Sequence, residues 1–320
     1  MNKPFFSVVI PLYNKEEFIL RALKSILNQS FRDFEVIIVN DGSTDNSLTK
    51  AQEIKDERIR IISQVNSGPG AARNRGIKES NGIWIAFLDA DDEYNSSYLQ
   101  KVFDTSQELP NAEIIYSLSY LKENNKTYFP KTNLVSAKII NYFQYTNIYW
   151  KSRRTEDNLL LMNSSSTSVY KESFNKSGLF LENTFIGEDI DTWHRLAWTS
   201  NVALIPEMLT IYNLDDGSSG YREKESDFNI RLKSFLDWKN KKLIPRNLMC
   251  DSYRYINYCI LWESYRLVVK GYKYESLKLL LKNIYIPRVD FIFLTRILLR
   301  AITPNLLVPF AQTVKNRIGI

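Results

Sequence analysis

Four short apolar segments in the first hundred residues constrain the fold of this chain more than any other feature. They are rich in β-branched residues, have the length of buried strands, and cover residues 5–10, 34–40, 58–63 and 83–88. Apolar residues recur at helical spacing over 16–29 and 71–80, and another helix is expected from about Asn46, capped by Ser43 or Thr44. Buried strands joined by helices predict an α/β fold with a mostly parallel, Rossmann-like sheet flanked by helices.

Polar side chains follow each of the four predicted strands. Pro11 is expected to end the first strand, and Tyr13 and Asn14 come next. Amide or carboxylate side chains follow the other three strands: Asp41, Asn66, Asp89, Asp91 and Asp92. Open α/β sheets bind ligands beyond the carboxyl ends of their strands, so these side chains are predicted to line one ligand-binding crevice.

The turn after the first strand argues against the common dinucleotide and P-loop sites. It reads PLYNKEE (residues 11–17) and contains no glycine, whereas a dinucleotide-binding domain has Gly-x-Gly-x-x-Gly at this point. The Gly68-Pro69-Gly70 segment lacks the third glycine, and the Walker A pattern is absent from the sequence. A nucleotidyltransferase is disfavoured as well, since its glycine- and lysine-rich loop is missing.

Two aspartates in the segment FLDADD (residues 87–92) suggest a metal site. Asp89 and Asp91 are two residues apart at a strand end, where extended backbone directs both side chains to the same face. Such a pair suits Mg²⁺ or Mn²⁺, which also takes oxygens from a diphosphate. An acidic solvated loop is the alternative for an isolated Asp-x-Asp, but the position at a strand exit favours the metal site.

The composition excludes several other classes of protein. One histidine and two cysteines do not make a multi-histidine zinc site or a disulfide framework. The N-terminus lacks the pattern of a signal peptide, and no uncharged apolar run approaches the ~20 residues of a spanning helix. A cytoplasmic protein, peripheral on the inner face of the cell membrane or free of it, is therefore expected.

The last hundred residues are strongly basic and have helical patterning. They hold 19 Lys and Arg against 8 Asp and Glu, with helices predicted over 223–242, 251–270 and 274–283 and a last apolar helix after Pro287. No zinc-finger spacing or RNA-binding motif supports nucleic acid, so an anionic membrane surface is the favoured partner, with burial of the last helix as the alternative. Acceptor choice, homo-oligomerisation or membrane docking is expected to reside here.

Five ordered segments carry a resemblance to a known family. They are SVVIPLYN (7–14), NDGSTD (40–45), NSGPGAARNRGI (66–77), FLDADD (87–92) and GED (187–189), the last followed by Trp193 and Arg195. Together they resemble family 2 glycosyltransferases, which are inverting, nucleotide-sugar-dependent enzymes of the GT-A fold. The resemblance covers about residues 7–212. It implies a catalytic domain, which we place over 1–215. The polar, glycine-containing segment 215–220 and the helical pattern after it predict a separate helical module over 216–320, which the resemblance does not cover.

The resemblance implies a role for each residue of the donor site. Pro11 and Tyr13 would border the nucleotide base, and Asp41 would accept a hydrogen bond from the uracil ring. Arg73 would reach the base or the diphosphate. The segment FLDADD (87–92), called the DXD segment below, would complete the nucleotide and metal site. Asp89 and Ala90 would contact the nucleotide, Asp91 would bind the metal directly, and Asp89 would be a second metal ligand.

The catalytic base is expected at the GED segment. Inverting transfer needs a carboxylate that takes the proton of the acceptor hydroxyl. The family pattern assigns this role to Asp189. Glu188 is expected either to support the reacting groups from behind or to be a charge at the helix N-terminus, and Arg195 is expected to lie near them as well. The alternative is that Glu188, Asp189 and Asp191 only complement the helix dipole. His194 is more consistent with packing or the acceptor side, and the aromatic stretch 142–154 suits either an acceptor surface or packing under a loop.

The sequence therefore predicts a metal-dependent glycosyltransferase that uses a UDP-linked sugar. The acceptor would be a hydroxyl of a glycan or lipid-linked glycan in surface polysaccharide synthesis. The alternative is a catalytically inactive, nucleotide-sugar-binding partner subunit. The retained Asp89, Asp91 and Asp189 favour the enzyme.

Overall fold

Among the residues that the structure describes, ten strands form one sheet at the centre of the N-terminal part of the chain. The computed structural model describes residues 3–123, 126–128, 136–140, 163–183, 187–213, 227–284, 294–295 and 297–299. The aromatic stretch 142–154, the polar segment 215–220 and most of the apolar helix expected after Pro287 lie outside these residues.

Through the fourth strand, the strands and helices occur in the order that the sequence predicts, whereas the sequence does not predict the short fifth strand. The strands are β1 (Phe6–Leu12), β2 (Phe34–Asp41), β3 (Ile59–Gln64), β4 (Trp84–Phe87), β5 (Glu93–Tyr94), β6 (Ile114–Glu123), β7 (Lys126–Tyr128), β8 (Lys138–Ile140), β9 (Thr167–Tyr170) and β10 (Val202–Asn213). The helices are α1 (Ile19–Leu27), α2 (Ser47–Glu53), α3 (Pro69–Glu79), α4 (Tyr98–Glu108), α5 (Phe174–Ser177), α6 (Glu188–Thr199), α7 (Asp227–Asn240), α8 (Met249–Val269) and α9 (Lys273–Asn283).

The first four strands form the parallel part of the sheet. They lie in the order β3-β2-β1-β4, and every neighbouring pair among them is parallel. The apolar residues of β1, β2 and β4 are buried because α1 packs on one face and α3 on the other. All four carboxyl ends therefore meet at one edge, as the pattern of buried strands and intervening helices predicts.

The prediction that Pro11 ends the first strand is wrong. β1 continues through Pro11 to Leu12, and Pro11 pairs with Val39 of β2. On its other side β1 pairs with β4 only over Phe6–Val9, so Pro11 has one neighbouring strand. A proline without an N–H group is tolerated where the ladder is one-sided.

Beyond β4 the sheet becomes mixed. β9 runs antiparallel between β4 and β6, and β10 then pairs in parallel with β6 and antiparallel with β5 and β8. The sheet is thus less uniformly parallel than the first hundred residues indicate. The consequence for the site is that the segment before β9, residues 163–166, reaches the exit of β4.

The C-terminal part of the described chain is helical, as predicted. Contacts divide the chain into two compact units, Met1–Ile230 and Arg231–Ile320, whereas the sequence places the boundary at 215, outside the described residues. In the second unit α8 and α9 pack together, with the Ser276 hydroxyl donating to the carbonyl of Ser264 at 2.8 Å. Within the described residues, no helix combines the length and apolar character needed to cross a membrane.

Candidate active site

The loops that follow β1 and β2 are held together by side-chain hydrogen bonds. Asn14 adopts a left-handed conformation (φ 49°), which asparagine tolerates better than most residues. Its amide oxygen accepts from the Thr44 backbone N–H at 2.8 Å, and its own N–H donates to the Ser43 hydroxyl at 3.2 Å. The N–H of Lys15 donates to the Ser47 hydroxyl at 2.6 Å. Ser43 and Thr44 therefore form hydrogen bonds with the loop after β1, and the prediction that one of them caps α2 is wrong.

Pro11 and Tyr13, the residues predicted to border the nucleotide base, lie at the start of this joined loop region. Both are half-buried, whereas Leu12 between them is fully buried in the core. The alternation of the strand thus directs Leu12 inwards and leaves the flanking proline and tyrosine partly accessible.

Asp41 ties the end of β2 to the loop after β3. Its side chain is buried, and one carboxylate oxygen accepts from the Gln64 amide at 2.7 Å and the Ser67 N–H at 2.9 Å. The other oxygen accepts from the N–H of Gly68, also at 2.9 Å. A carboxylate offers about four lone-pair positions, so these three bonds fix Asp41 while leaving it capacity for one more donor.

The exit of β4 carries the DXD segment. The side chain of Asp89 accepts from Arg73 at 2.7 Å, and its backbone N–H donates to the Ser165 hydroxyl at 3.0 Å. Asp91 forms an ion pair with Lys15, with 2.6 Å between Nζ and Oδ2. Ala90 between the two aspartates is buried. Both aspartates thus already contact a cationic side chain from another strand exit or helix.

Asp92, the last residue of the segment, anchors this loop from inside the protein. It is buried, accepts from the Ser165 hydroxyl through one oxygen, and accepts from the Asn213 N–H at 3.0 Å through the other. The Asn213 amide in turn donates to the carbonyl of Asp91 at 2.9 Å. Burial, with the charges of Asp91 and Asp89 adding to it, raises the pKa of Asp92 well above its usual range.

Arg73 joins the DXD segment to the helix that carries the predicted base. Its guanidinium is buried and donates to Asp89 and to Glu188, each at 2.7 Å. It also lies 5.5 Å from the centre of the Phe180 ring. Burial lowers the pKa of Arg73, but the carboxylates of Asp89, Glu188 and Asp189 outweigh this and raise it above its usual range. Arg73 is therefore a permanent cation between two acidic segments.

Glu188 and Asp189 begin α6 and differ in their exposure. Glu188 is 5% exposed, and burial together with the neighbouring Asp189 raises its pKa to about 7 although Arg73 opposes the shift. Asp189 is half-buried, and one of its oxygens accepts from the N–H of Ile190 at 2.7 Å. Of the two carboxylates, Asp189 is the one with more access to an incoming hydroxyl.

A glycine makes the approach of α3 to α6 possible. A Cβ atom at Gly70 would lie 2.2 Å from the carbonyl oxygen of Leu181 and 3.2 Å from Cγ of Glu188. Any larger residue would push Arg73, which lies one turn further along α3, away from Glu188.

Arg195 and His194 lie deeper in α6. Arg195 is buried, and its Nε donates to Asp191 at 2.7 Å, while its two terminal nitrogens donate to the carbonyls of Ser177 and Leu179. These contacts fix the loop after α5 against α6. The ring of His194 is buried 6.5 Å from that of Trp198, an arrangement that suits packing.

The donor set at the DXD segment fits a divalent cation that a diphosphate helps to hold. Within the residues that the structure describes, no group of three His, Cys, Asp or Glu side chains is placed to hold a metal ion. Magnesium sites commonly use one or two carboxylates together with substrate phosphates, which matches Asp89 and Asp91. The Lys15 ammonium, however, already contacts one oxygen of Asp91 and would compete with a cation there.

Sequence reasoning missed three residues that shape this site: Lys15, Ser165 and Asn213. Ser165 and Asn213 come from the segment before β9 and from the end of β10, and their sequence context gives no signal of proximity to the DXD segment. Lys15 directly follows Tyr13 and Asn14 at a strand exit, so its position alone would have identified it as a candidate site residue.

Comparisons with known proteins agree with this geometry. Residues 7–178, more than half of the chain, match the family described as glycosyl transferase family 2. An uncharacterized glycosyltransferase of Rickettsia felis is 31% identical over 219 residues, which are 68% of this chain and 34% of that protein. The uncharacterized glycosyltransferase EpsJ of Bacillus subtilis is 37% identical over 131 residues, 40% of this chain and 38% of its own. The chain thus matches little more than a third of the length of these relatives.

Solved structures share the fold. S. aureus TarS in complex with UDP-GlcNAc superimposes with a TM-score of 0.63 at 15% identity, covering 86% of this chain and 88% of that one. TarS in complex with UDP gives a TM-score of 0.58 at 18% identity, over 80% and 65% of the two chains. The order of the sheet, the retained DXD and GED segments and the family match lead to one conclusion: the chain belongs to glycosyltransferase family 2 and has the GT-A fold.

Proposed function

We propose that this chain moves one sugar, with inversion, from a UDP-linked donor to a hydroxyl of a glycan or lipid-linked glycan acceptor. The observation that carries the proposal is the buried Arg73, which contacts Asp89 at the DXD segment and Glu188 beside Asp189, each at 2.7 Å. One guanidinium thereby fixes the distance between the donor side and the predicted base.

Support for UDP comes from two directions. TarS, which shares the fold, has been solved with UDP and with UDP-GlcNAc. In this chain Pro11, Tyr13 and Asp41 line the end of the sheet where a nucleotide base would lie, and Asp41 retains acceptor capacity for an N–H of uracil.

In the proposed reaction Asp189 takes the proton of the acceptor hydroxyl. The oxygen then attacks the anomeric carbon as the bond from that carbon to the diphosphate oxygen breaks, and UDP leaves with the bonding electrons. Glu188 does not need to take the proton. Its role is to hold Arg73, whose fixed positive charge orients the diphosphate and offsets negative charge that develops on the leaving group.

Asp91 and Asp89 would hold Mg²⁺ or Mn²⁺ at the diphosphate. When bound, the cation supplies charge neutralisation for the leaving UDP.

The proposed setting is surface polysaccharide synthesis at the inner face of the cell membrane. The basis is the excess of 19 basic over 8 acidic residues in the last hundred positions. Each Lys or Arg near an anionic leaflet contributes ~1 kcal/mol, and an acceptor on a lipid carrier would be reached there. Failure of the full chain to sediment with anionic liposomes at low salt would contradict this setting.

A thermal-shift panel of nucleotide sugars with and without Mn²⁺ tests the donor. A ligand at 100 times its Kd stabilises the folded protein by ~2.7 kcal/mol, so UDP-linked donors should raise the Tm above GDP- or CDP-linked ones. Asp91→Ala should remove the Mn²⁺-dependent part of this shift. An unchanged Mn²⁺ dependence in that variant contradicts the assignment of Asp91.

The base is tested by Asp189→Asn, with UDP release from the most stabilising donor as the measure of transfer. Turnover should fall by ~10²-fold or more because the amide cannot accept the proton, while the UDP thermal shift stays near that of the parent. Glu188→Gln serves as the matched control, since it should reduce turnover less. Normal turnover by Asp189→Asn would show that another group is the base.

A further inference from the structure

Lys15 contacts one carboxylate oxygen of Asp91, the predicted metal ligand. Its Nζ lies 2.6 Å from Oδ2 of Asp91, and the two side chains are 16% and 14% exposed. Neither family spacing nor the DXD pattern assigns a role to this lysine, although it belongs to the same crevice as Tyr13 and Asp41.

The backbone of Lys15 is fixed, whereas its side chain is long. Its N–H donates to the Ser47 hydroxyl at 2.6 Å, and the N–H of the next residue, Glu16, donates to Asp45 at 3.1 Å. The ammonium lies 5.7 Å from the centre of the Phe18 ring. A four-carbon stem on an anchored backbone lets the ammonium move by several ångströms while the loop stays in place.

An ammonium and a divalent cation compete for the same oxygen. Mg²⁺ binds carboxylate oxygens at about 2.0–2.1 Å and demands near-octahedral geometry, which a lysine in direct contact with that oxygen blocks. The two positive charges also repel each other at this distance. Metal binding through this oxygen of Asp91 would therefore be favoured by movement of Lys15 to another anionic partner.

We propose that Lys15 is a positioning residue that couples metal binding to donor binding. With no donor, its ammonium occupies Asp91 and holds the affinity for the divalent cation low. When a nucleoside diphosphate arrives, Lys15 leaves Asp91 for a phosphate oxygen, and the cation takes its place. The inference rests on the proposed donor site, but its core, the competition at Asp91, does not depend on the identity of the nucleotide.

Coupling of this kind has a reciprocal signature. If UDP raises the affinity for Mn²⁺, then Mn²⁺ must raise the affinity for UDP by the same factor. Replacing Lys15 by a neutral side chain removes both the competitor at Asp91 and the new phosphate contact. A general loss of positive charge would instead strengthen Mn²⁺ binding to a similar extent with and without UDP.

The test measures Mn²⁺ affinity by the EPR signal of the free ion, on the full chain, with and without UDP. The variants are Lys15→Met, Lys15→Arg, and Lys24→Met as the matched control, since Lys24 is exposed on α1. Without UDP, Lys15→Met should bind Mn²⁺ ~10-fold more tightly than the parent and than Lys24→Met. Lys15→Arg keeps the competing charge and should remain as weak as the parent.

The ratio of Mn²⁺ affinities with and without UDP completes the test. It should be at least ~10 for the parent and several-fold smaller for Lys15→Met, in which only ligation of Mn²⁺ by the diphosphate still couples the two ligands. Equal Mn²⁺ affinity of parent and Lys15→Met without UDP, or an unchanged ratio, overturns the inference. Absence of UDP binding to the parent overturns the proposed donor, and the comparison with Mn²⁺ alone still decides the role of Lys15.

Discussion

Two regions of the crevice are stabilised by different physics. The N-terminal loops, residues 13–16, 42–47 and 64–68, are joined mainly by hydrogen bonds between neutral groups and by carboxylates that accept from backbone N–H groups. These carboxylates are Glu16, Asp41 and Asp45. The carboxylate cluster, which comprises Asp89, Asp91, Asp92, Glu188 and Asp189, is joined by ion pairs to Arg73 and Lys15 and by hydrogen bonds from Ser165 and Asn213.

The difference follows from how charge is compensated. Each oxygen of Asp41 meets fixed dipoles, whereas in the cluster several carboxyl groups compete for the same cations, and two of them, Asp92 and Glu188, have raised pKa values. Excess negative charge in a partly buried place favours an added cation and makes the region sensitive to pH. The N-terminal loops are therefore expected to be less sensitive to pH than the cluster, in which the excess negative charge favours a bound cation.

The largest effect is expected for Arg73→Met in the cluster. It leaves the buried Glu188 and the adjacent Asp89 without their shared cation, and breaking a buried pair costs about 3–5 kcal/mol of unfolding free energy. Arg75→Met on the same helix is the control, because Arg75 pairs with Glu79 on the surface with a side chain 52% exposed. It should cost less than about 1 kcal/mol in urea unfolding. Similar costs for the two variants would show that the buried ion pairs of the cluster contribute no more to stability than a surface pair.

The next effect is a pH dependence that belongs to the cluster. In the folded state the pKa of Glu188 is raised to about 7 from 4.5, so the folded protein holds this proton where the unfolded chain has released it. The contribution of Glu188 to the free energy of unfolding is therefore fully present below about pH 4.5. It is lost as the pH rises towards 7, by at most about 1.4 kcal/mol per pH unit.

Glu188→Gln should flatten this slope in urea unfolding measured between pH 5 and 8. Part of the slope should remain, because Asp92 also has a raised pKa and acts with the same sign. An identical slope in Glu188→Gln and the parent would show that Glu188 does not titrate in this range.

The smallest effect is expected for Asn14→Gly in the N-terminal loops. Glycine keeps the left-handed backbone at this position while it removes the side-chain hydrogen bonds to Thr44. The expected cost is about 1 kcal/mol, equal at pH 5 and pH 8 because no titrating group is involved. A cost that changes with pH would mean that the N-terminal loops and the carboxylate cluster are electrostatically coupled and form one network.

The amino-acid sequence by itself determined the parallel half of the fold and the composition of the crevice. The β-branched runs of β1, β2 and β4 and the apolar spacing of α1 are local patterns, and parallel strands bring Tyr13, Asp41 and Asp89 to one edge whatever follows. The family resemblance added Arg73 and Asp189, whose roles remain predictions, as does the role of Asp91.

Only the tertiary structure decided which charges meet. Arg73 contacts Glu188 across 115 positions of sequence, Asp92 contacts Asn213 across 121, and Lys15 contacts Asp91 from a neighbouring strand exit. No local pattern encodes such pairs, because they depend on the antiparallel insertion of β9 and on the close approach of α3 to α6 at Gly70. The sequence supplies the carboxylates, and the packing of distant elements determines which of them are buried, which are paired and which remain accessible for chemistry.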